Sequence, residues 1–324
     1  MIMKTKIQLS KAQKDHYLNE GYLILENVLD HGILDEVRDE LSNEIDKRAR
    51  LLHEKGELKK LYEDEGFETR LAKISSETPK LAVSIWNGVL NGPAIFNLIT
   101  SEGLLDIAEN FCGKEIIASS VYRVRPKIPN FGYGEVPWHQ DSSYFEPFCD
   151  ESLIVIAWVP LVDANKENGC LYVIPKSHKG NVLQHGLHQS GKYLEITEEI
   201  PEDMKVACEI PKGGVLLLTN KVIHGSFRNS TDKVRWSMDL RYQNAKYPTN
   251  AKISRLQDEL TENTEAGVPA ACYPPEADFL VRSEKRPNQV IKTSEEFHKL
   301  RENHVIKPVT NRFGVQWKAM EEEL

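Results

Sequence analysis

Apolar positions in the first third of the chain recur at helical spacing. Ser10 stands as an N-cap before a polar helix running to Glu20, and Gly21-Tyr22-Leu23-Ile24-Leu25 after it reads as a short apolar strand. From Asp30 to about Leu61, Ile33, Leu34, Val37, Leu41 and Ile45 return at 3.6-type intervals. They predict a long amphipathic helix whose charged residues form a solvated face. A further helical pattern runs from Pro93 to Phe111, broken near Ser101-Glu102-Gly103 and stopped by Gly113.

At Ile116 the pattern changes. Ile116 to Val124, Ile154 to Val159, Cys170 to Ile174, Val215 to Thr219 and Val234 to Tyr242 read as strands separated by Pro, Gly and Asn clusters. The last alternates strictly, with Arg235, Ser237, Asp239 and Arg241 on one face and Trp236, Met238, Leu240 and Tyr242 on the other. The predicted helices need an apolar sheet surface to cover, so the apolar set is expected beneath them and the polar set inside a barrel.

Gln184 to Met204 carries little periodicity and reads as a long excursion from the sheet. Beyond Lys246 the chain is loop-rich, with Pro248, Pro269, Pro274, Pro275 and Pro287, before a helix near Ser294 to Glu302 and a tail containing Trp317. No repeat or linker divides it. Residues 1–324 are expected to form one domain, mainly β with α elaborations: a helical part (1–115), a β core (116–245) and an extension (246–324).

Composition narrows the partners. Hydrophobic residues at 40% and charged residues at 28% are an ordinary balance for a soluble protein, and a net charge of −8 without a basic stripe argues against nucleic acid. The longest apolar run, Leu153 to Val162, is half the ~20 residues that span a bilayer, so no membrane segment is expected. Cys112, Cys149, Cys170, Cys208 and Cys272 are odd in number, scattered and without a C-x-x-C pair. That pattern indicates neither a disulfide framework nor a structural zinc site and fits a reducing cytoplasm. Oligomeric state is left open.

The candidate chemistry lies in Val136-Pro137-Trp138-His139-Gln140-Asp141. On extended backbone His139 and Asp141 point to the same side and can converge on a metal. The missing ligand is a distant histidine, for which His224 is the candidate. It follows the turn Lys212-Gly213-Gly214 and the apolar Val215-Leu216-Leu217-Leu218, and precedes Gly225-Ser226. Two histidines and a carboxylate suit non-haem Fe(II) and leave three positions on an octahedral ion. Arg235, eleven residues after His224, presents a planar fork that can grip a carboxylate bidentately. Tyr144, Phe145 and Phe148 are candidate pocket walls and Arg125 a candidate extra cation. His178, His185 and His188 have no ligand spacing, and His16, His31, His53, His298 and His304 are expected in solvent.

His139-Gln140-Asp141, His224 and Arg235 resemble the phytanoyl-CoA dioxygenase family of Fe(II)/2-oxoglutarate oxygenases. So do Asn168-Gly169-Cys170-Leu171-Tyr172-Val173-Ile174-Pro175-Lys176-Ser177-His178 and Gly213-Gly214. The likeness is close from Arg125 to Tyr242 and departs at Lys176, where glycine is commoner, and at Cys170, where proline is. It implies a double-stranded β-helix (jelly-roll, cupin-like) with Fe(II) held by His139, Asp141 and His224 at its open end. It also implies that Arg235 pairs with the distal carboxylate of 2-oxoglutarate, that Ser226 adds a hydrogen bond and that Trp158 packs near the cosubstrate. The implied reaction consumes 2-oxoglutarate and O2, releases succinate and CO2, and hydroxylates an unactivated C–H bond of a small or medium-sized molecule. Two alternatives keep the fold: a non-catalytic binding or sensor protein, and a halogenase. The intact residue set speaks against the first, and Asp141, in the position a halide would need, against the second.

Overall fold

The structure, a computed structural model, describes residues 6–87, 90–119, 122–131, 134–145, 147–190, 193–247, 278–302 and 312–313. The helical part consists of α1 (Lys11–Glu20), β1 (Tyr22–Leu25), α2 (His31–Glu54), α3 (Phe67–Glu77), α4 (Lys80–Asn87), α5 (Pro93–Ile99) and α6 (Glu102–Cys112). Ser10 caps α1 reciprocally: its side chain accepts from Gln13 N, and its own N–H donates to the Gln13 side chain at 2.9 Å. The long helix ends at Glu54, short of the expected Leu61. Gly56, with φ +74°, turns the chain back so that Leu58 buries against it. Helices α3 and α4 fall where no element was expected, although Phe67, Leu71 and Ile74 carry a short helical period.

The β core consists of β2 (Ile116–Ala118), β3 (Arg123–Lys127), β4 (Val136–His139), β5 (Ile154–Pro160), β6 (Leu171–Ile174), β7 (His185–Leu187), β8 (Leu194–Ile196), β9 (Val206–Cys208), β10 (Val215–Thr219), β11 (Ile223–Ser226) and β12 (Arg235–Asn244). After it come β13 (Phe279–Arg282) and α7 (Ser294–Glu302). The single strand expected over Ile116 to Val124 is two. Ten-residue β12 outruns either one and pairs in turn with β3 and β2 along one edge, with β5 along the other. The expected excursion contains the β7–β8 hairpin, and the loop-rich extension supplies β13, paired to β2. Pro248, Pro269, Pro274, Pro275, Cys272, His304 and Trp317 lie outside the described residues.

A seven-stranded sheet runs β1-β10-β5-β12-β2-β13 with β3 on β12, and a four-stranded sheet runs β4-β11-β6-β9. All pairings are antiparallel, and the helices pack on the larger sheet, which makes a jelly-roll with helical elaborations. Alternation sorts the side chains. Trp236, Met238, Leu240 and Tyr242 join Val155, Ala157 and Val159 beneath the helices, while Ile156, Trp158, Leu216 and Leu218 turn inward. Trp236 stacks on Phe67 of α3 at 5.0 Å, and the Tyr242 hydroxyl donates to Ile99 O at 2.7 Å. The opposite face of β12 is left to the interior, as expected.

Candidate metal centre

Strands β4 and β11 are neighbours in the smaller sheet, and their register places His139 directly opposite His224. The rings lie 4.2 Å apart, centre to centre. Each imidazole is oriented from behind: His139 Nδ1 meets Pro137 O at 2.9 Å and His224 Nδ1 meets Val222 O at 3.0 Å. A carbonyl only accepts, so both Nδ1 atoms carry the proton and both Nε2 lone pairs face the same space.

Asp141 reaches that space by a different local route from the one expected. Strand β4 ends at His139, and Asp141 opens the short 3-10 turn Asp141–Tyr144. Gln140 remains extended (φ −119°, ψ 134°), which keeps its two neighbours on one side. Its own side chain is held on the other, donating to Lys221 O at 2.8 Å and accepting from Leu183 N at 2.8 Å. Asp141 Oδ1 stands 3.4 Å from His139 Nε2 and 3.7 Å from His224 Nε2. One donor atom from each of the three lies within 4.8 Å of the others, and all three residues are buried.

Arg241 on β12 closes the set. Its Nε and one terminal nitrogen both donate to Asp141 Oδ2, at 3.1 and 2.9 Å, which leaves Oδ1 aimed at the histidines. Burial pushes the Asp141 carboxyl up, but Arg241 and the two histidines outweigh it and hold the group well below the usual carboxylate range. Burial also lowers His224, to about 4, so its ring is neutral and able to ligate at neutral pH.

Residues 17–237 match the phytanoyl-CoA dioxygenase (PhyH) family. The chain belongs to that family. As a phytanoyl-CoA dioxygenase family member it is an enzyme, a non-haem Fe(II)/2-oxoglutarate-dependent oxygenase. It is 24% identical over 247 residues to a probable phytanoyl-CoA dioxygenase of Caenorhabditis elegans, covering 73% of this chain and 76% of the relative. It is 26% identical over 246 residues to the peroxisomal phytanoyl-CoA dioxygenase of Homo sapiens, covering 73% and 69%. Among solved structures, the non-haem monooxygenase ThoJ superposes with a TM-score of 0.54 at 17% identity, over 89% of this chain and 91% of that one. The epimerase SnoN, in complex with Fe3+, α-ketoglutarate and nogalamycin RO, does so with a TM-score of 0.51 at 20% identity, over 84% and 98%. Likeness at these identities shows the fold alone.

The two departures from the family pattern have local explanations. Lys176 has φ 68°, a left-handed conformation that glycine adopts without strain. Cys170 donates its N–H to Asn165 O at 2.8 Å, a bond that proline cannot make.

Arg235, Ser226 and Trp158 line the same cavity as the three candidate ligands. Arg235 is 2% exposed, and its guanidinium centre lies 5.1 Å from the Trp158 ring centre. It donates to Ser237 Oγ at 2.5 Å and to Gly169 O at 3.1 Å, and its Nε has no partner among the described residues. Burial lowers it to about 10, so it remains a cation at neutral pH. No carboxylate is paired with this buried charge among the described residues, which fits a site for an anionic ligand.

Of the aromatic candidates only Tyr144 lines the cavity; Phe145 and Phe148 pack in a small core with Cys149 and Ile154. Arg125 lines it too. His16, His31, His53 and His298 are exposed as expected, whereas His185 is buried and its Nε2 accepts from Gln140 N at 3.2 Å. Sequence reasoning missed Gln140, His185 and the pairing of Arg241 with Asp141. Only Arg241 carried a signal, through the alternation of β12.

Proposed function

We propose that this enzyme hydroxylates an unactivated C–H bond of a small or medium-sized organic substrate, with release of succinate and CO2. In this reading His139, Asp141 and His224 hold one Fe(II), and Arg235 receives the distal carboxylate of 2-oxoglutarate, with Ser226 as a second donor and Trp158 against the cosubstrate. The observation that carries it is the convergence of three buried donor atoms beside a buried cation that no carboxylate engages among the described residues. Iron bound there would supply the redox chemistry with O2.

The chain's own residues do the rest. The Pro137 and Val222 carbonyls fix both imidazole tautomers, Arg241 turns Asp141 Oδ1 inward, and the Arg235 fork orients the cosubstrate. Asp141 occupies the position a halogenase would leave for halide, which favours hydroxylation. The organisation of residues 1–324 as one domain belongs to the same reading, as does a cytoplasmic location without a nucleic-acid partner. In its support, Cys112, Cys170 and Cys208 are free and buried. No helix among the described residues is long and apolar enough to cross a membrane.

Anaerobic titration with Fe(II) and 2-oxoglutarate tests the assignment through the visible absorption of the chelate. The wild type is expected to form the chelate and His139→Ala to lose it. Arg235→Ala should keep iron but need about 100-fold more 2-oxoglutarate, because it leaves a desolvated carboxylate unpaired. A chelate of undiminished strength in His139→Ala would sink the ligand assignment, and wild-type 2-oxoglutarate affinity in Arg235→Ala that of the anion site.

A further inference from the structure

The turn that carries Asp141 is gripped by two residues from the far end of the chain. Ser142, the next residue, donates its N–H to Asn220 O at 2.8 Å, and its hydroxyl accepts from Asn220 Nδ2 at 3.0 Å. Its carbonyl closes the short turn by accepting from Phe145 N, and takes a second bond from an Arg312 terminal nitrogen at 3.1 Å. The same guanidinium holds the Asp150 carboxylate with both terminal nitrogens, at 3.1 and 2.7 Å. On the other side of Asp141, Gln140 N donates to His185 Nε2, and the Phe313 ring stacks on His185 with centres 5.2 Å apart and planes 29° from parallel.

Neither Arg312 nor Phe313 lines the cavity, so neither meets iron or cosubstrate there. Their contacts fall instead on the two peptide neighbours of a proposed iron ligand. The Arg312 side chain is only 8% exposed, and a guanidinium so buried is tolerated because its planar fork finds a carboxylate and a carbonyl in fixed places. Asp141 has to aim a single oxygen at the histidines. Arg241 fixes its carboxylate, while the contacts on Gln140 and Ser142 fix the backbone from which that carboxylate projects.

We propose that Arg312 and Phe313 are positioning residues for the metal centre, a clasp that sets the Asp141 backbone for iron binding. This rests on the ligand set of the proposed function. Coupling between two sites is reciprocal, so a clasp that favours iron must itself be tightened by iron, and by the same factor. A contact that merely stabilises the fold would serve the metal-free and the iron-loaded protein equally.

The test uses the full chain under anaerobic conditions. In the first measurement the metal-free protein is titrated with Fe(II) at saturating 2-oxoglutarate, following the chelate absorption. Arg312→Met should weaken iron binding about 10-fold, as loss of a group that orients a ligand typically does. Arg312→Lys should recover little of it, because an ammonium keeps the charge and loses the fork. The second measurement needs no variant of the clasp. Trypsin must take the Arg312 side chain into its own pocket, which requires the clasp to open, so at low protease the cleavage rate follows the open fraction. Mass spectrometry of wild-type digests should show the Arg312–Phe313 bond cut about 10-fold more slowly with Fe(II) and 2-oxoglutarate than without, and His139→Ala should show no such protection. Equal cleavage of the wild type with and without iron would overturn the proposal, as would protection that persists in His139→Ala or wild-type iron affinity in Arg312→Met. Failure of the wild-type chelate to form, or an undiminished chelate in His139→Ala, would instead strike the proposed function, so the two are told apart by the titration.

Discussion

Asp141 is a buried carboxylate whose position depends on Arg241, a residue one hundred positions later in the chain. Arg241→Met would remove the cation and leave the charge desolvated, at a cost of about 3–5 kcal/mol to the metal-free protein. Fe(II) bound beside Oδ1 would take over part of the missing charge, so the loss should be smaller in the iron-loaded protein. Urea denaturation of both forms checks this, and an equal loss in each would mean that Arg241 does not act through Asp141. The sequence made the three ligands legible because their chemistry is written in residue type and short spacing: a histidine and an aspartate two apart, then a histidine after a glycine turn and an apolar strand. The partnership of Arg241 with Asp141, and the anchoring of Gln140 by Lys221 and Leu183, are contacts between distant segments and leave no local pattern.

At the level of elements, strict alternation in β12 foretold both of its environments, since a strand buried on two unlike faces must separate its side chains by period two. The β7–β8 hairpin and β13 escaped because three- and four-residue strands carry too few positions to establish a period. The turn after β6 offers a test of local strain. Lys176 sits at φ 68° with its exposed ammonium 3.5 Å from the half-buried Glu20, a surface pair of little worth. Lys176→Gly relieves the left-handed conformation but frees the unfolded chain, and the balance should be a gain of about 0.5–1 kcal/mol. A raised denaturation midpoint with unchanged iron binding is the expected outcome, and a lowered midpoint would show that the lysine's contacts outweigh the strain.

For the molecule as a whole, acid should be destabilising in a defined window. Burial pushes His185 down to about 4; its Nδ1 donates to Leu183 O at 2.8 Å while Nε2 accepts from Gln140 N, so a second ring proton would face another donor. In the unfolded chain the same group titrates near about 6.5. The folded value is the lower one, so the contribution is fully present above about pH 6.5 and is lost as pH falls towards 4. The slope is about 1.4 kcal/mol per pH unit and the total about 3 kcal/mol. His224, lowered to about 4 in the same way, adds a parallel term in the metal-free protein. Thermal melts of that form between pH 4 and 7 should therefore show a shallower acid slope in His185→Gln than in the wild type, and identical slopes would remove His185 as a contributor.

Strand β1 has a consequence for how the protein is made. Tyr22 pairs with Leu218 and Leu25 with Val215, so the partner of this early strand is synthesised almost two hundred residues later. At about 5–20 residues per second, a ribosome needs roughly 10–40 s to cover that interval. Throughout it the Tyr22–Leu25 edge is an unsatisfied row of amides and apolar side chains on a nascent chain, open to mispairing with other strands. Helices α1 and α2, which form from local contacts on either side of it, are in place long before its partner emerges and can shelter that edge.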